Sequence, residues 1–227
     1  MISGVIRKNK YWLLGLVLVF FFYTNGFAQQ THFPPKIDSS FYASKLDSIK
    51  HHFPDCSNIP LQFELPFYTA LSKYPELQLT HIEFAVKSIR TTMAARPAKG
   101  LFKNRSKRTY RVYANNNKDF KGVYLSSLTF NQQTGVIGHE LAHIVDYSHK
   151  STMRLIGNGI AYMFTSYRRT FEANTDKRAI SHGFGWQLFD YVDFLLNRSK
   201  ASEKYKKMKR KVYLNENDIK QIIISTY

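Results

Sequence analysis

Three observations in this 227-residue chain predict an α+β fold. Short runs of alternating apolar and polar residues lie between positions 82 and 130. Helical periodicity takes over from Asn131 and persists to the C-terminus. No internal repeat or second change of pattern divides the chain further. The expected architecture is a small, mostly antiparallel sheet packed on one central helix, with a helical C-terminal half. A single domain of this length buries enough apolar surface to need no disulfide, and the lone Cys56 can form none within the chain.

Residues 1–28 read as an export signal. Arg7, Lys8 and Lys10 form a positive segment, Tyr11 to Tyr23 is an apolar stretch too short for an ordinary spanning helix, and Gly26-Phe27-Ala28 ends in a small residue. Cleavage between Ala28 and Gln29 places residues 29–227 in the periplasm or outside the cell, and removal of the three cations lowers the net charge from +17 to +14.

Residues 29–40, with Pro34 and Pro35, read as an extended lead-in. Phe41, Tyr42, Leu46, Ile49 and Phe53 recur at helical spacing up to Pro54, which predicts one helix, and a second follows Pro66 and stops before Pro75. Ile82, Phe84 and Val86 alternate with polar neighbours. So do Tyr110, Val112 and Ala114, while Val123, Leu125, Leu128 and Phe130 form a third run. These predict three strands, with Asn115-Asn116-Asn117 turning between the last two. Helices are expected over about 132–148, 151–166, 168–182, 186–197, 200–211 and 215–224.

The first of these helices carries the chemistry. His139 and His143 are four apart, so on a helix they lie about 40° apart and project from one face at metal-chelating separation. Glu140, one step round, can reach a water on the metal. Zinc hydrolysis needs this set: a Lewis acid that acidifies water, and a carboxylate that takes its proton and passes it to the leaving amine. Val136, Ile137, Leu141, Ala142, Ile144 and Val145 hold the motif in a core.

Two residues offer the third ligand. Glu172 and Asp176 are i and i+4 on a predicted helix with Phe171, Ala179 and Ile180 as its apolar side, so Glu172 can ligate while Asp176 accepts the free N–H of a ligand histidine. The rival is His149, at the spacing His-Glu-x-x-His-x-x-Gly-x-x-His with Asp146 in place of Gly. Asp146 lacks the freedom in φ that a turn there requires, which ranks Glu172 first. Asp146 itself either orients a ligand or caps the helix end.

The His-Glu-x-x-His helix with a downstream Glu-x-x-x-Asp helix resembles the gluzincin metallopeptidases, and Arg169-x-x-Glu172-x-x-Thr175-Asp176 is similar to the Arg-x-x-Glu-x-x-Ala-Asp helix of the HtpX-like peptidases. The resemblance covers about 50 of the 227 residues, and Thr175 replaces the usual Ala. It implies a zincin-like fold, a zinc ion on His139, His143 and Glu172, Glu140 as general base, and Asp176 behind a histidine. The strand expected over 122–130 then corresponds to the edge strand that pairs with a peptide substrate. His182, Tyr191 and Arg178 are candidates for oxyanion stabilisation.

Arg198, Lys200, Lys204, Lys206, Lys207, Lys209, Arg210 and Lys211 form a basic run with Glu203 as its only acid, and a second cluster comprises Lys99, Lys103, Arg105, Lys107, Arg108 and Arg111. After an export signal, the 198–211 run points to an anionic envelope polymer or membrane surface. No nucleic acid partner is expected. The sequence thus predicts an exported zinc-dependent peptidase acting on peptide or protein substrates. The alternative is a non-catalytic basic envelope-binding protein with a structural metal, distinguished by whether Glu140 is accessible.

Overall fold

A computed structural model describes residues 36–226. The export segment and most of the expected lead-in lie outside the described residues. Among the described residues, no helix is long and apolar enough to cross a membrane.

Two short helices open the described chain, α1 (Ser39–Ala43) and α2 (Leu46–His52). The sequence pattern predicts one helix here. The Ser44 hydroxyl instead donates to the Phe41 carbonyl at 2.8 Å, and Lys45 leaves helical geometry at φ −110°, ψ 3°. Serine's local bonding competes with the helix ladder in this way. After β1 (Cys56–Ser57), α3 runs from Leu61 to Leu71 and contains Pro66, so it starts earlier than the proline predicts. Pro66 removes one helical donor. Burial of Phe63 and Phe67 against Phe84, with ring centroids 5.8 and 5.9 Å apart, carries the helix through that position.

The sheet contains β1, β2 (His81–Lys87), β3 (Met93–Lys99) and β4 (Thr109–Asn115), in the order β1-β2-β4-β3. β1 with β2 and β2 with β4 are parallel, and β3 with β4 is antiparallel. The expectation of a mostly antiparallel sheet is therefore corrected to a mixed one. Its cause is β3, an edge strand that Pro97 and three alanines hide from a propensity reading. The expected strand over 122–130 is a loop with a single 3₁₀ turn at Leu125–Ser127, although Val123, Leu125 and Leu128 are buried. Apolar spacing there reflects a loop seated on the core. Asn115 likewise does not turn between strands. Its side chain donates to the Ile89 and Thr91 carbonyls and accepts from Ile89 N and Asn117 N, tying the 88–92 loop to the end of β4.

Helix α4 (Phe130–Ser148) starts at a reciprocal capping box between Thr129 and Gln132 and is buried along most of its length. It packs on the β3 side of the sheet and against α3, α6 (Thr165–Ala179) and α7 (Gly185–Asp193). α5 (Thr152–Ala161) precedes α6, and α8 (Glu203–Val212) and α9 (Glu216–Thr226) complete the helical half. Expected and observed helices agree in number and order from residue 130 onward, with π-type turns at Ile180–Phe184 and Phe194–Arg198.

The contact between α4 and α7 is set by Gly135, where a Cβ would lie 2.5 Å from the Gln187 carbonyl carbon. Alanine there gains about 1 kcal/mol of helix propensity but must push two backbones apart, which costs about 1–3 kcal/mol or more. Gly135→Ala is expected to lower stability in urea unfolding. Gly157→Ala on α5, where a Cβ meets nothing within 4 Å, is expected to raise it by up to about 1 kcal/mol.

Candidate metal centre

His139 and His143 project from one side of α4, their ring centroids 4.7 Å apart, and both are buried. Against them α6 buries Glu172, Thr175, Asp176 and Ala179, spaced i, i+3, i+4 and i+7. Three of these four are polar, the reverse of an ordinary core-facing stripe. Phe171 is stacked on the His143 ring at 5.3 Å, and Tyr147 stacks on the same ring at 5.9 Å.

Glu172 Oε2 lies 3.1 Å from His139 Nε2 and 3.3 Å from His143 Nε2. Its other oxygen, Oε1, accepts from the Tyr162 hydroxyl. At the opposite ring nitrogens, His139 Nδ1 is 2.7 Å from Asp176 Oδ1 and His143 Nδ1 is 3.2 Å from Thr175 Oγ1. The Thr175 hydroxyl donates to the Phe171 carbonyl at 3.0 Å, so its oxygen is left to accept from His143. Both imidazoles therefore keep a proton on Nδ1 and turn Nε2 toward Glu172. His139, His143 and Glu172 each offer one ligand atom, all within 4.8 Å of one another. Two imidazoles and a carboxylate, with their outer atoms held by hydrogen bonds, suit a divalent metal ion.

Electrostatics follow from burial of charge beside charge. Burial opposes protonation of His139, and the Asp176 and Glu172 carboxylates outweigh it, raising its pKa to about 10. Burial acts upward on Glu172, and the His143 and His139 imidazoles hold it well below the ordinary carboxylate range.

Glu140 is buried, and its Oε2 has no hydrogen-bond partner. It is reached through a cavity whose walls include Met93, Val136, Leu188, Tyr191 and Lys209, with His139 and Asp176 at the same surface. Thr92 and Met93, at the start of the β3 edge strand, line it as well. The Lys209 ammonium is buried there, 3.8 Å from the centroid of the Tyr213 ring. Burial alone would lower its pKa. Tyr205, Tyr191, Glu172 and Glu140 outweigh that effect and hold it above the ordinary lysine value.

The other candidates are not among the clustered ligand residues. The His149 ring bonds the Val145 carbonyl at 2.7 Å at the exposed end of α4. Asp146 pairs with Lys150 at 2.5 Å and with Arg178 at 3.6 Å, which also removes Arg178 as a free cation. His182 pairs with Glu76 at 2.8 Å and stacks on Tyr74. Tyr191 donates to Thr92 Oγ1 at 3.0 Å while lining the cavity. Sequence reasoning missed Tyr162 and Tyr213, neither of which stands in a recognisable motif, and read Lys209 only as part of the basic run. It noted Thr175 only as a departure from Ala, although its hydroxyl meets His143.

Zinc titration against a chromogenic chelator is expected to show the largest loss for Glu172→Ala. Asp176→Ala and Thr175→Val should lose roughly 10 to 100-fold, as changes behind a ligand do. His149→Ala should bind as the parent does. Retention of zinc by Glu172→Ala with loss in His149→Ala would transfer the third ligand to His149.

Searches against known protein families, curated proteins and solved structures found no match to this chain.

Proposed function

We propose that this protein is an exported zinc-dependent peptidase with a zincin-like catalytic arrangement of the gluzincin type. The observation that carries this reading is the unpartnered Oε2 of Glu140, buried beside His139 in a cavity. A buried carboxylate oxygen without a partner costs free energy. Such groups are tolerated where chemistry uses them.

His139, His143 and Glu172 would hold the ion. Bound there, zinc supplies a Lewis acid that brings the pKa of water down to about 7 and polarises a substrate carbonyl. Glu140 accepts the proton of the attacking water at its free oxygen and returns it to the departing amine nitrogen. Asp176 and Thr175 fix the Nδ1 protons and so keep both Nε2 lone pairs on the ligand side. Tyr162 holds the second oxygen of Glu172.

Substrate access is supported by β3. It is an edge strand whose start lines the cavity, and an extended peptide can add to such an edge through main-chain hydrogen bonds. β3 takes the place that the sequence assigned to 122–130. The apolar walls, Val136, Leu188 and Leu195 among them, favour a large apolar side chain next to the scissile bond.

Glu140→Gln is expected to bind zinc close to the parent's affinity while losing about 10²–10⁴-fold in turnover of a mixed peptide library, because only proton transfer is removed. Parental activity in this variant would exclude the mechanism. Equal inactivity of both proteins, with zinc bound, would favour a structural metal in a binding protein.

Export is tested separately. Protein recovered from the cell envelope is expected to begin at Gln29 by mass spectrometry, and an intact N-terminus would leave the segment as an anchor.

A further inference from the structure

We propose that α5 and the 100–108 loop form a docking face for the surface of an anionic lipid bilayer. This goes beyond the proposed activity and does not depend on it.

Helix α5 is apolar on both sides. Leu155 points into the protein and is buried, and Tyr162, just past the helix end, reaches Glu172. On the opposite side Met153, Ile156 and Ile160 fall within one arc of the helix and are exposed, followed by exposed Met163 and Phe164 in the turn to α6. The loop before β4 adds Phe102, 83 % exposed. Hydrogen bonds make the two segments one surface. Thr152 Oγ1 donates to the Leu101 carbonyl at 2.8 Å, while Arg108 donates to the Lys150 carbonyl at 2.7 Å and to Thr152 Oγ1 at 3.1 Å. Gly100, at φ +71°, closes the loop where a Cβ would strike the Lys107 carbonyl at 2.7 Å. Six of the eleven large apolar side chains exposed among the described residues lie here, and the other five are scattered over separate elements. Scattered exposed apolar residues are ordinary, whereas a cluster marks an interaction surface.

Charge identifies the occupant. Residues 99–111 contain six Lys and Arg and no acid, and residues 147–171 contain four and no acid. Arg108 is buried, and Lys99, Arg111 and Lys150 pair with Glu83 or Asp146. Lys103, Arg105, Lys107, Arg154 and Arg169 are exposed, and no carboxylate among the described residues lies within 4.0 Å of them. Free cations on and next to the segments that carry protruding Phe, Met and Ile side chains match anionic head groups above acyl chains. A polyanion would use the cations and leave the apolar groups in water. The 198–211 run lacks this combination. Arg198 pairs with Asp190 and Asp193, Lys206 and Lys209 are buried, and no large apolar residue is exposed within it.

The test uses the full chain in a Cys56→Ser background, with an environment-sensitive fluorophore on Met163→Cys, Phe102→Cys or, as a control on α9, Ile224→Cys. A local probe is needed because Tyr11 to Tyr23 can itself enter lipid. Vesicles containing phosphatidylglycerol are expected to shift the emission at 163 and 102 to the blue and to make it quenchable by acyl-chain nitroxides. The probe at 224 should not respond, and phosphatidylcholine alone should give no shift. Replacing Lys103, Arg105 and Lys107 by Gln should weaken the response at 163 on the order of a hundredfold, about fivefold per cation. No shift at 163 and 102, or an equal shift at 224, would overturn the proposal. So would a shift without vesicles that grows with protein concentration, which would assign the face to a second copy. An equal response to dextran sulfate would assign it to a polymer.

Discussion

The docking of α6 onto α4 rests on polar groups. Its buried stripe is Glu172, Thr175 and Asp176, with Ala179 as the only apolar member. Burying a carboxylate away from water costs several kcal/mol unless partners replace the lost hydration. His139 and His143 supply those partners from the opposing helix. The helix pair and the candidate metal centre are therefore one interaction. An ion held by three of these groups would add its binding free energy to the stability of the helical half, since metal sites assemble with the fold around them.

The rest of the molecule makes that pairing rigid. The capping box sets where α4 begins, and hence which residues face the sheet and which face α6. Gly135 lets α7 approach backbone to backbone, and Tyr74 donates to the Gly138 carbonyl at 2.6 Å, fixing α4 from the α3 side as well. Phe171 and Tyr147 wall the His143 ring. A site held by packed helices keeps its donor atoms in place more tightly than one carried on loops.

Charge in the cavity is balanced across elements that are remote in sequence. Glu140 and His139 come from α4, Asp176 from α6, Tyr191 from α7 and Lys209 from α8. The buried ammonium lies over the Tyr213 ring, and the carboxylates around the cavity favour its charged form. Part of the basic run thus serves the interior. Beside α5, by contrast, exposed cations without a carboxylate partner accompany apolar side chains that also reach solvent.

The sequence by itself determined the helical C-terminal half, the apolar helix carrying His139, Glu140 and His143, and the pairing of Glu172 with Asp176. Each of these is local: a 3.6-residue period and an i, i+4 spacing survive in any context that keeps the helix. Tertiary structure alone decided the rest. Strand direction depends on which segments meet, so β3 and the parallel pairings stayed hidden while a buried loop at 122–130 imitated a strand. The sequence ranked Glu172 ahead of His149, but its place beside both histidines came only from the packing of α6 on α4. The value of Thr175 depended on the ring nitrogen it met there. Lys206 and Lys209 belong to the run read as facing an anionic polymer or membrane, and the fold of α8 buries them instead. The reason is common to all of these: burial and hydrogen-bond partners are properties of pairs of segments, and spacing within one segment does not encode them.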